Sequence, residues 1–528
     1  MSASPAASNP RARLPVRPAW PQQFLLFALL FAGLMLLHAP LLRLPYFWDE
    51  AGYYIPAARD LLLTGSPIPR STLSNAHPPL IMAWLALAWR WFGYSTLVTR
   101  TAMLAIAAFS LLGLFRLARR VANLQVAWAV TVLTAIYPVF FTQSSLAHVD
   151  LAAAGFTYWA LLAWLEDSPG MVVTWFVLAA MAKETAIVVP LTLCAWPVIT
   201  RWLPAKWELL KLPAGRRTRP LYLLIPLVPL ACWFGYHSFG TGFLLGNPEF
   251  LRYNLSATLN PLRIPLAFGM RLWQTLGYFG LYLLNIAALA SMFRRPRSDQ
   301  GTTRSGIPLW QRTAGAVVIL TYLLFMSIVG GAVLARYLLP VVPLVILASA
   351  TALWRRLRQW KIVVAGAAGL FAIGLVSNPP YGFSLEDNLT YRDFVVMHAE
   401  AGRFLSMRYP NARVLTAWPA SDELSRPWLG YVRHPFGVVR IDDFTAAQIE
   451  TAAAARNQYD VAFVFSTKYV PEQELLANWT AWRDIKERFF GYHQDLPPEE
   501  IARRLGGSIA FEKKENGVWA AVIALEKQ

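Results

Sequence analysis

Two neighbouring acids, Asp49 and Glu50, follow the first long apolar segment of this 528-residue chain. They lie in residues 44–80, LPYFWDEAGYYIPAARDLLLTGSPIPRSTLSNAHPPL, which close on the sequence His77-Pro78-Pro79. Ionisable groups are costly at membrane depth and tend to be functional there. A carboxylate at this position is suited to accept a proton from an attacking hydroxyl.

Other ionisable residues stand at the ends of later apolar segments. They are His148, Asp150, Lys183 and Arg336. If the segments alternate across a membrane, all these ends lie on one side at similar depth. Basic side chains there can stabilise the charge that develops on a leaving phosphate. The set therefore suits sugar transfer from a polyprenyl-phosphate carrier to an acceptor hydroxyl or phosphate.

The composition indicates what must position these residues. The chain is 56% hydrophobic and 15% charged, and apolar runs of about 20 residues recur, the length of a membrane-spanning helix. Backbone groups in lipid must be satisfied within the segment, which favours helices. We predict about 11 transmembrane helices, with the multi-basic loops on one side.

The formal charge of +18 is unevenly distributed. Residues 377–528 carry 17 Lys and Arg against 20 Asp and Glu, so the excess of positive charge belongs to the earlier part of the chain. Short basic loops of a membrane protein explain that excess, and no nucleic-acid partner is expected. Cys194 and Cys232 both lie in apolar segments, and we expect no disulfide between them.

Three regions follow from this pattern. Residues 1–20 are predicted to be a flexible, basic, cytoplasmic N-terminus, because Arg11, Arg13 and Arg17 precede the first span. Residues 21–376 are predicted to be the transmembrane catalytic domain, and residues 43–95 its first external loop with interface helices. Residues 377–528 are predicted to be an external, soluble α/β domain, because helical and strand patterns alternate there.

Local signals support two details. The segment EAGYYIPAARDLLLTG is typical of an amphipathic helix that ends at Gly65. In the C-terminal region, ARVLTAW, FGVVRI and YDVAFVFST are predicted strands, and GSIAFEKKENGVWAAVIAL is a predicted hairpin that turns at Asn516-Gly517.

Each candidate residue also has a structural interpretation. Asp49 and Asp150 can cap the helices that begin beside them, and His77 can simply precede a helix that starts at Pro78. Lys183 can extend to the interface with Glu184 as its partner. The remaining alternatives are an interfacial polar residue for His148, headgroup-belt aromatics for Tyr53 and Tyr54, and ordinary loop residues for Trp418, Asp422 and Glu423. Arg336 is harder to explain in this way, since a base just outside a span opposes the positive-inside bias.

Several motifs together resemble the GT-C glycosyltransferases, in the branch that holds the protein O-mannosyltransferases and the aminoarabinose transferases. They are FWDEAGYYIPAARDLL, HPPL, SSLAHVD, AMAKETA and ARYLLPVVPL. The resemblance covers roughly residues 20–350, and the order of the motifs makes it specific. The C-terminal domain departs from the lumenal modules of the mannosyltransferases.

The resemblance implies roles for individual residues. Asp49 would be the catalytic base, Glu50 the second acid of the pair, and Asp150 a residue near the acceptor or sugar. Lys183, Arg336 and Tyr337 would hold the donor phosphate. His77 matches the HPP pattern of the first loop, and with Tyr53 and His148 it is a candidate for the substrate pocket. The reaction would be an inverting single displacement without a covalent enzyme intermediate.

The expected partners are a polyprenyl-phosphate-linked sugar donor, membrane lipids, and an acceptor protein, lipid or polysaccharide. No cofactor is required by this chemistry, although His77 and a nearby carboxylate could bind a divalent metal ion. We expect an inner-membrane protein whose catalytic face and C-terminal domain are periplasmic.

Two other classes of function compete with an enzyme. A lipid or sugar transporter or flippase would have inverted repeats and helices broken at mid-membrane, whereas the one clear break here is near Lys183. A receptor or scaffold would not depend on the residues around Asp49 and Arg336.

Overall fold

The structure is a computed structural model that describes residues 20–202, 211–248, 258–299, 301–471 and 479–525. The predicted N-terminal basic segment therefore lies, up to residue 19, outside the described residues. Within the described ranges the chain is mainly helical, with one small mixed sheet near its C-terminus.

The α-helices are numbered in chain order. They are Trp20–Leu37 (α1), Ile55–Thr64 (α2), Leu80–Phe92 (α3), Thr96–Val121 (α4), Leu124–Ile136 (α5), Pro138–Gln143 (α6), Asp150–Leu165 (α7), Pro169–Ala182 (α8), Val188–Arg201 (α9), Leu227–Thr241 (α10), Arg263–Leu276 (α11), Leu281–Ser291 (α12), Leu309–Ile328 (α13), Val342–Arg356 (α14), Trp360–Val376 (α15), Thr390–Arg408 (α16), Ala420–Ser425 (α17), Ala446–Ala454 (α18), Thr480–Phe490 (α19) and Pro498–Leu505 (α20).

The helical membrane protein expected from the composition is confirmed. Five helical segments of the described chain are long and apolar enough to cross a bilayer: Trp20–Leu37, Thr96–Val121, Pro220–Thr241, Arg263–Ser291 and Leu309–Ile328. Five further apolar helices are shorter, at 10–17 residues. The count of eleven spans stays a prediction.

Two of the predicted spans are interrupted. One breaks between α5 and α6, where Tyr137 is extended and Pro138 begins the next helix. The other bends between α11 and α12, where Phe279 takes a positive φ of 47°. Proline has no N–H to donate to the preceding turn of a helix, and a residue with positive φ interrupts a right-handed helix. Both breaks therefore have a local cause.

Helices α4 and α7 pack closely because small residues face each other. A Cβ built on Gly155 would lie 1.9 Å from the Ser110 hydroxyl, and one on Gly113 would lie 2.7 Å from the Trp159 ring. Small residues at helix contacts let the backbones approach, which supplies packing that lipid cannot. This pair carries Arg100 on α4 and Asp150 at the start of α7.

The strands form the predicted C-terminal α/β domain. Besides the short ribbon Ser298–Asp299 (β1) and Thr302–Thr303 (β2), they are Arg413–Ala417 (β3), Gly437–Ile441 (β4), Val461–Phe465 (β5), Gly507–Glu515 (β6) and Val518–Leu525 (β7). The sheet order is β4-β3-β5-β7-β6, with β4, β3 and β5 parallel and the other pairs antiparallel. The hairpin turns at Asn516 and Gly517, both with positive φ, as the sequence predicted.

The α/β domain and the first external loop share one hydrophobic core. Phe394 on α16 contacts both Phe47 and Trp48, with ring centroids 5.6 and 5.5 Å apart. The Tyr431 hydroxyl donates to the carbonyl of Tyr46 at 2.9 Å. The loop that carries Asp49 is therefore packed against the C-terminal domain.

Candidate active site

Asp49 lies at the entrance to a single π-helical turn, Glu50–Tyr54, that leads directly into α2. Its side chain makes no capping hydrogen bond to that turn. It instead accepts a hydrogen bond from the Arg336 guanidinium. The interpretation of Asp49 as a simple helix cap is therefore wrong.

Arg336 is the centre of the cluster. It sits in the 3-10 turn Ala335–Leu338, is 2% exposed, and contacts three acids. Besides its bond to Asp49, its Nη1 donates to Glu386 Oε2 at 2.7 Å, and its Nε lies 3.4 Å from Asp150 Oδ2. A guanidinium presents five donors in a fixed plane, which suits it to several oxygen partners at once.

Lys183 is joined to the same network through Asp150. Its ammonium pairs with Asp150 Oδ1, and its Nζ lies 3.8 Å from the centroid of the Tyr337 ring. Lys183 is 5% exposed, which shows that it does not extend to the interface. Asp150 makes no capping hydrogen bond to α7. The structural interpretations of both residues are therefore wrong.

Glu184 is not the partner of Lys183, because its Oε2 pairs with His77 Nδ1 at 2.8 Å. The His77 ring also stacks with Tyr54 at a centroid distance of 6.1 Å. Tyr54 reaches the His148 ring on its other side, at 5.7 Å. The HPP segment is thus tied to the chain break that carries Lys183.

His148 is completely buried, and Arg336 Nη1 lies 3.0 Å from its Nδ1. Burial, reinforced by the charges of Arg336, Arg100 and Lys183, lowers the pKa of His148 well below its usual value. A neutral ring can accept a hydrogen bond from the guanidinium. His148 is therefore a neutral component of the cluster.

Glu50 occupies a different environment from Asp49 even though the two are adjacent. It is fully buried and pairs with Arg100 of α4. Its Oε2 also accepts from the amide of Phe47 at 2.8 Å, and its Oε1 accepts from the amide of Ala147 at 2.5 Å. Its oxygens are thus occupied by bonds that join the first loop to α4 and to the segment before α7.

Three charged residues of this region were not recognised in the sequence. Arg100 and Arg271 lie within apolar segments, and this placement could have identified them. Arg271 is buried, donates to the Leu334 carbonyl at 2.7 Å, and pairs with no carboxylate among the described residues. Glu386 follows the last apolar helix in an ordinary polar loop, and no local pattern distinguishes it.

The C-terminal α/β domain contributes more to the region of the site than the sequence predicted. Trp418 packs against Trp48 and Tyr53, with ring centroids 5.4 and 5.9 Å away. Glu423 is 1% exposed and bonds to His398 Nδ1 at 2.6 Å. Asp422 and Glu423 are part of α17, so their interpretation as ordinary loop residues is wrong, whereas Trp418 lies in the turn that precedes this helix.

No group of three or more His, Cys, Asp or Glu side chains in the described ranges is arranged to hold a metal ion. Cys194 and Cys232 are both free. The candidate site is a network of acids, bases and aromatic rings in the first loop, at the start of α7, at the break after α8 and in the 3-10 turn Ala335–Leu338.

The helical bundle and the small α/β domain that packs on its first loop form a GT-C-like fold. The chain is similar to the crystal structure of ArnT from Cupriavidus metallidurans bound to undecaprenyl phosphate. The TM-score is 0.51 at 15% sequence identity, and the match covers 97% of this chain and 100% of that chain. The apo state of ArnT gives the same TM-score and identity over 96% and 99%.

An oligosaccharyltransferase from Archaeoglobus fulgidus, crystallised with Zn and sulfate, matches at a TM-score of 0.44 and 13% identity, over 94% of this chain and 72% of that chain. No protein-family model and no curated protein sequence matches the chain. The similarity to the two ArnT structures confirms, at the level of the fold, the resemblance seen in the sequence motifs.

Proposed function

We propose that the protein is an integral-membrane, inverting glycosyltransferase that moves a sugar from a polyprenyl-phosphate donor to an acceptor hydroxyl or phosphate. The observation that carries the proposal is the convergence on Arg336, which contacts Asp49 from the first loop and Asp150 from α7. Asp150 in turn holds Lys183 from the break after α8. Four sequence-distant segments thus form one charged site.

The donor phosphate is assigned to the basic side of this site. Lys183, Arg336 and Arg271 all approach the Tyr337 ring, with Lys183 Nζ 3.8 Å and each guanidinium carbon 5.6 Å from its centroid. Arg271 has no acid partner among the described residues, so it can receive an anion without losing an ion pair. Cations fixed where negative charge develops stabilise the departing lipid phosphate.

Asp49 is assigned the role of general base. Its side chain is 22% exposed, whereas those of Arg336 and Asp150 are each 2% exposed. It is therefore the acid of the cluster that an acceptor can reach. The acceptor oxygen attacks the anomeric carbon, its proton passes to Asp49, and the bond from that carbon to the phosphate oxygen breaks.

The remaining candidate residues are assigned to support and to the pocket. Asp150 orients Lys183 and Arg336, and Glu50 fixes the first loop through Arg100. His77, Tyr53 and His148 line the substrate side near Asp49. The acceptor is a protein, lipid or polysaccharide, and the catalytic face with the α/β domain is periplasmic, on the inner membrane. The undecaprenyl phosphate bound to the similar ArnT structure supports a polyprenyl carrier.

The role of Asp49 is tested with Asp49→Asn. The variant keeps the size of the side chain but cannot take up the proton, so sugar transfer in purified membranes should fall by about 10²–10⁴-fold. The matched control is Asp299→Asn, which changes an exposed acid paired with Arg304 in the β1–β2 ribbon.

Transfer by the control should match that of the wild type, and both variants should accumulate in membranes to wild-type levels. Full transfer by Asp49→Asn would remove Asp49 from the mechanism.

A further inference from the structure

Glu386 reaches the site from the segment that connects α15 to the α/β domain. Its backbone carbonyl is fixed by the Thr142 hydroxyl at 2.6 Å, and its Oε2 accepts from Arg336 at 2.7 Å. The side chain is 5% exposed, and Oε1 has no hydrogen-bond partner in the described part of the chain. One of the two oxygens of this buried carboxylate therefore has no hydrogen bond among the described residues to offset the cost of its burial.

The charges around Arg336 do not balance when every acid is ionised. Asp49, Asp150, Glu386 and the neighbouring Asp387 contribute four negative charges, and Arg336, Lys183 and the nearby Arg271 contribute three positive charges. His148, which also faces Arg336, is neutral. A bound lipid phosphate adds further negative charge, and a buried charge without a partner is costly.

We propose that Glu386 is a positioning residue that takes up a proton when the lipid phosphate binds. In the free site its carboxyl group, which is ionised above about pH 8, holds Arg336 beside Asp49 and Asp150. When the phosphate becomes the partner of Arg336, a proton from solvent converts the Glu386 carboxylate to a carboxylic acid. The incoming negative charge is thereby offset without protonating the base.

The surroundings identify Glu386 as the acid that accepts this proton. Asp150 is held by two cations, and Asp49 is partly solvated, whereas Glu386 has one bond to Arg336 and a second acid, Asp387, beside it. Burial raises the pKa of Glu386 to about 8, because the charge of Arg336 only partly offsets it and the nearby acids oppose ionisation. The aspartates that face it from other elements are Asp49 and Asp150.

The affinity for the lipid phosphate is expected to fall as the pH rises. Well below pH 8 the carboxyl is already protonated, and the phosphate binds without proton uptake. As the pH rises through about 8, Glu386 ionises in the free protein, so each binding event must take up a proton. The affinity for the lipid phosphate then falls, by at most about tenfold per pH unit for one proton.

The inference rests on the proposed function, and one experiment distinguishes a failure of the inference from a failure of the proposed function. Undecaprenyl phosphate is titrated calorimetrically into the full-length protein in detergent, between about pH 7.5 and about pH 9.5, where its phosphate, with a second pKa of about 6, stays ionised. Two buffers of different ionisation enthalpy report the protons taken up.

The wild type should take up nearly one proton above pH 8 and lose affinity as the pH rises. Glu386→Gln, which resembles the protonated acid, should take up none through this group and keep at pH 9 the affinity that the wild type has at low pH. Asp387→Asn is the matched control: this adjacent acid is also buried, and burial raises its pKa to about 7, but it accepts from Tyr278 and not from Arg336. The control should still take up nearly one proton through Glu386, with the uptake beginning at lower pH because Asp387 no longer opposes the ionisation of Glu386.

An equal proton count and pH dependence in wild type and Glu386→Gln would overturn the role of Glu386 while leaving lipid-phosphate binding in place. A wild type that binds no undecaprenyl phosphate at any pH would contradict the proposed function and, with it, the inference. A purely structural role for Glu386 would lower affinity at every pH and would not remove the proton.

Discussion

At the scale of single residues, two adjacent acids with the same chemistry have opposite environments. Asp49 is partly exposed and meets a guanidinium that also serves other acids, whereas Glu50 is fully buried and saturated by Arg100 and two backbone amides. The sequence shows the pair but not this difference, because it depends on partners about 50 and 290 residues away.

Glu50→Gln is therefore expected to act on stability. Removing one partner of a buried ion pair leaves Arg100 uncompensated, at a cost of about 3–5 kcal/mol. The melting temperature of the purified protein should fall clearly, and transfer should fall with it. Asp49→Asn, by comparison, should lose transfer with little change in melting temperature.

Glu499→Gln is the control for this comparison, because Glu499 is 61% exposed and pairs with Lys514 on the surface at 3.2 Å. Such pairs contribute little, so its melting temperature should equal that of the wild type. A stable Glu50→Gln protein with no transfer would instead place Glu50 in the chemistry.

At the scale of elements, the site depends on how the α/β domain packs against the first loop. Gly52 in the π-helical turn lies directly under Trp418 of the outer domain, and a Cβ at that position would be 2.6 Å from the indole ring. The Thr72 hydroxyl holds the carbonyl of Gly52 at 2.6 Å. Gly52 is only three positions after Asp49 in the chain.

Gly52→Ala should displace either Trp418 or the turn. Overpacking of this kind costs about 1–3 kcal/mol, and the shift reaches the base, so both the melting temperature and the transfer rate should fall. The double variant with Trp418→Ala should recover part of the loss, since removal of the ring makes space and the two effects are then not additive.

Gly33→Ala provides the control, because nothing lies within 4 Å of a Cβ at that position of α1. It should leave both measurements unchanged. Additive losses in the double variant would show that Trp418 and the turn are not coupled.

Some of these elements could be predicted from local sequence patterns, and others could not. The end of α2 at Gly65, with φ of 72°, and the Asn516-Gly517 hairpin follow from residues that favour left-handed backbone, so the sequence predicts them. The breaks at Tyr137 and Phe279 were not predicted, since a continuous apolar run conceals them. Glu386 was missed because it joins the cluster through Arg336, which lies 50 residues earlier in the chain.

At the scale of the whole molecule, the GT-C fold could be predicted because the order of the motifs and the apolar segments can both be read in the sequence. The shared core of the α/β domain and the first loop could not be predicted, since contacts such as Phe394 with Trp48 join segments more than 300 residues apart. This core joins the C-terminal domain to the loop that carries Asp49, and the segment that connects the domain to α15 brings Glu386 to Arg336.

The central claim, that the network around Asp49 and Arg336 consumes a polyprenyl-phosphate-linked sugar, is tested most directly by the lipid-linked sugar pool of intact cells. Mass spectrometry would compare cells that lack the protein with the same cells supplied with the wild type or with Asp49→Asn. We predict that one polyprenyl-phosphate-linked sugar accumulates when the protein is absent, returns to its normal level with the wild type, and stays high with Asp49→Asn. Identical pools in all three strains would contradict the account.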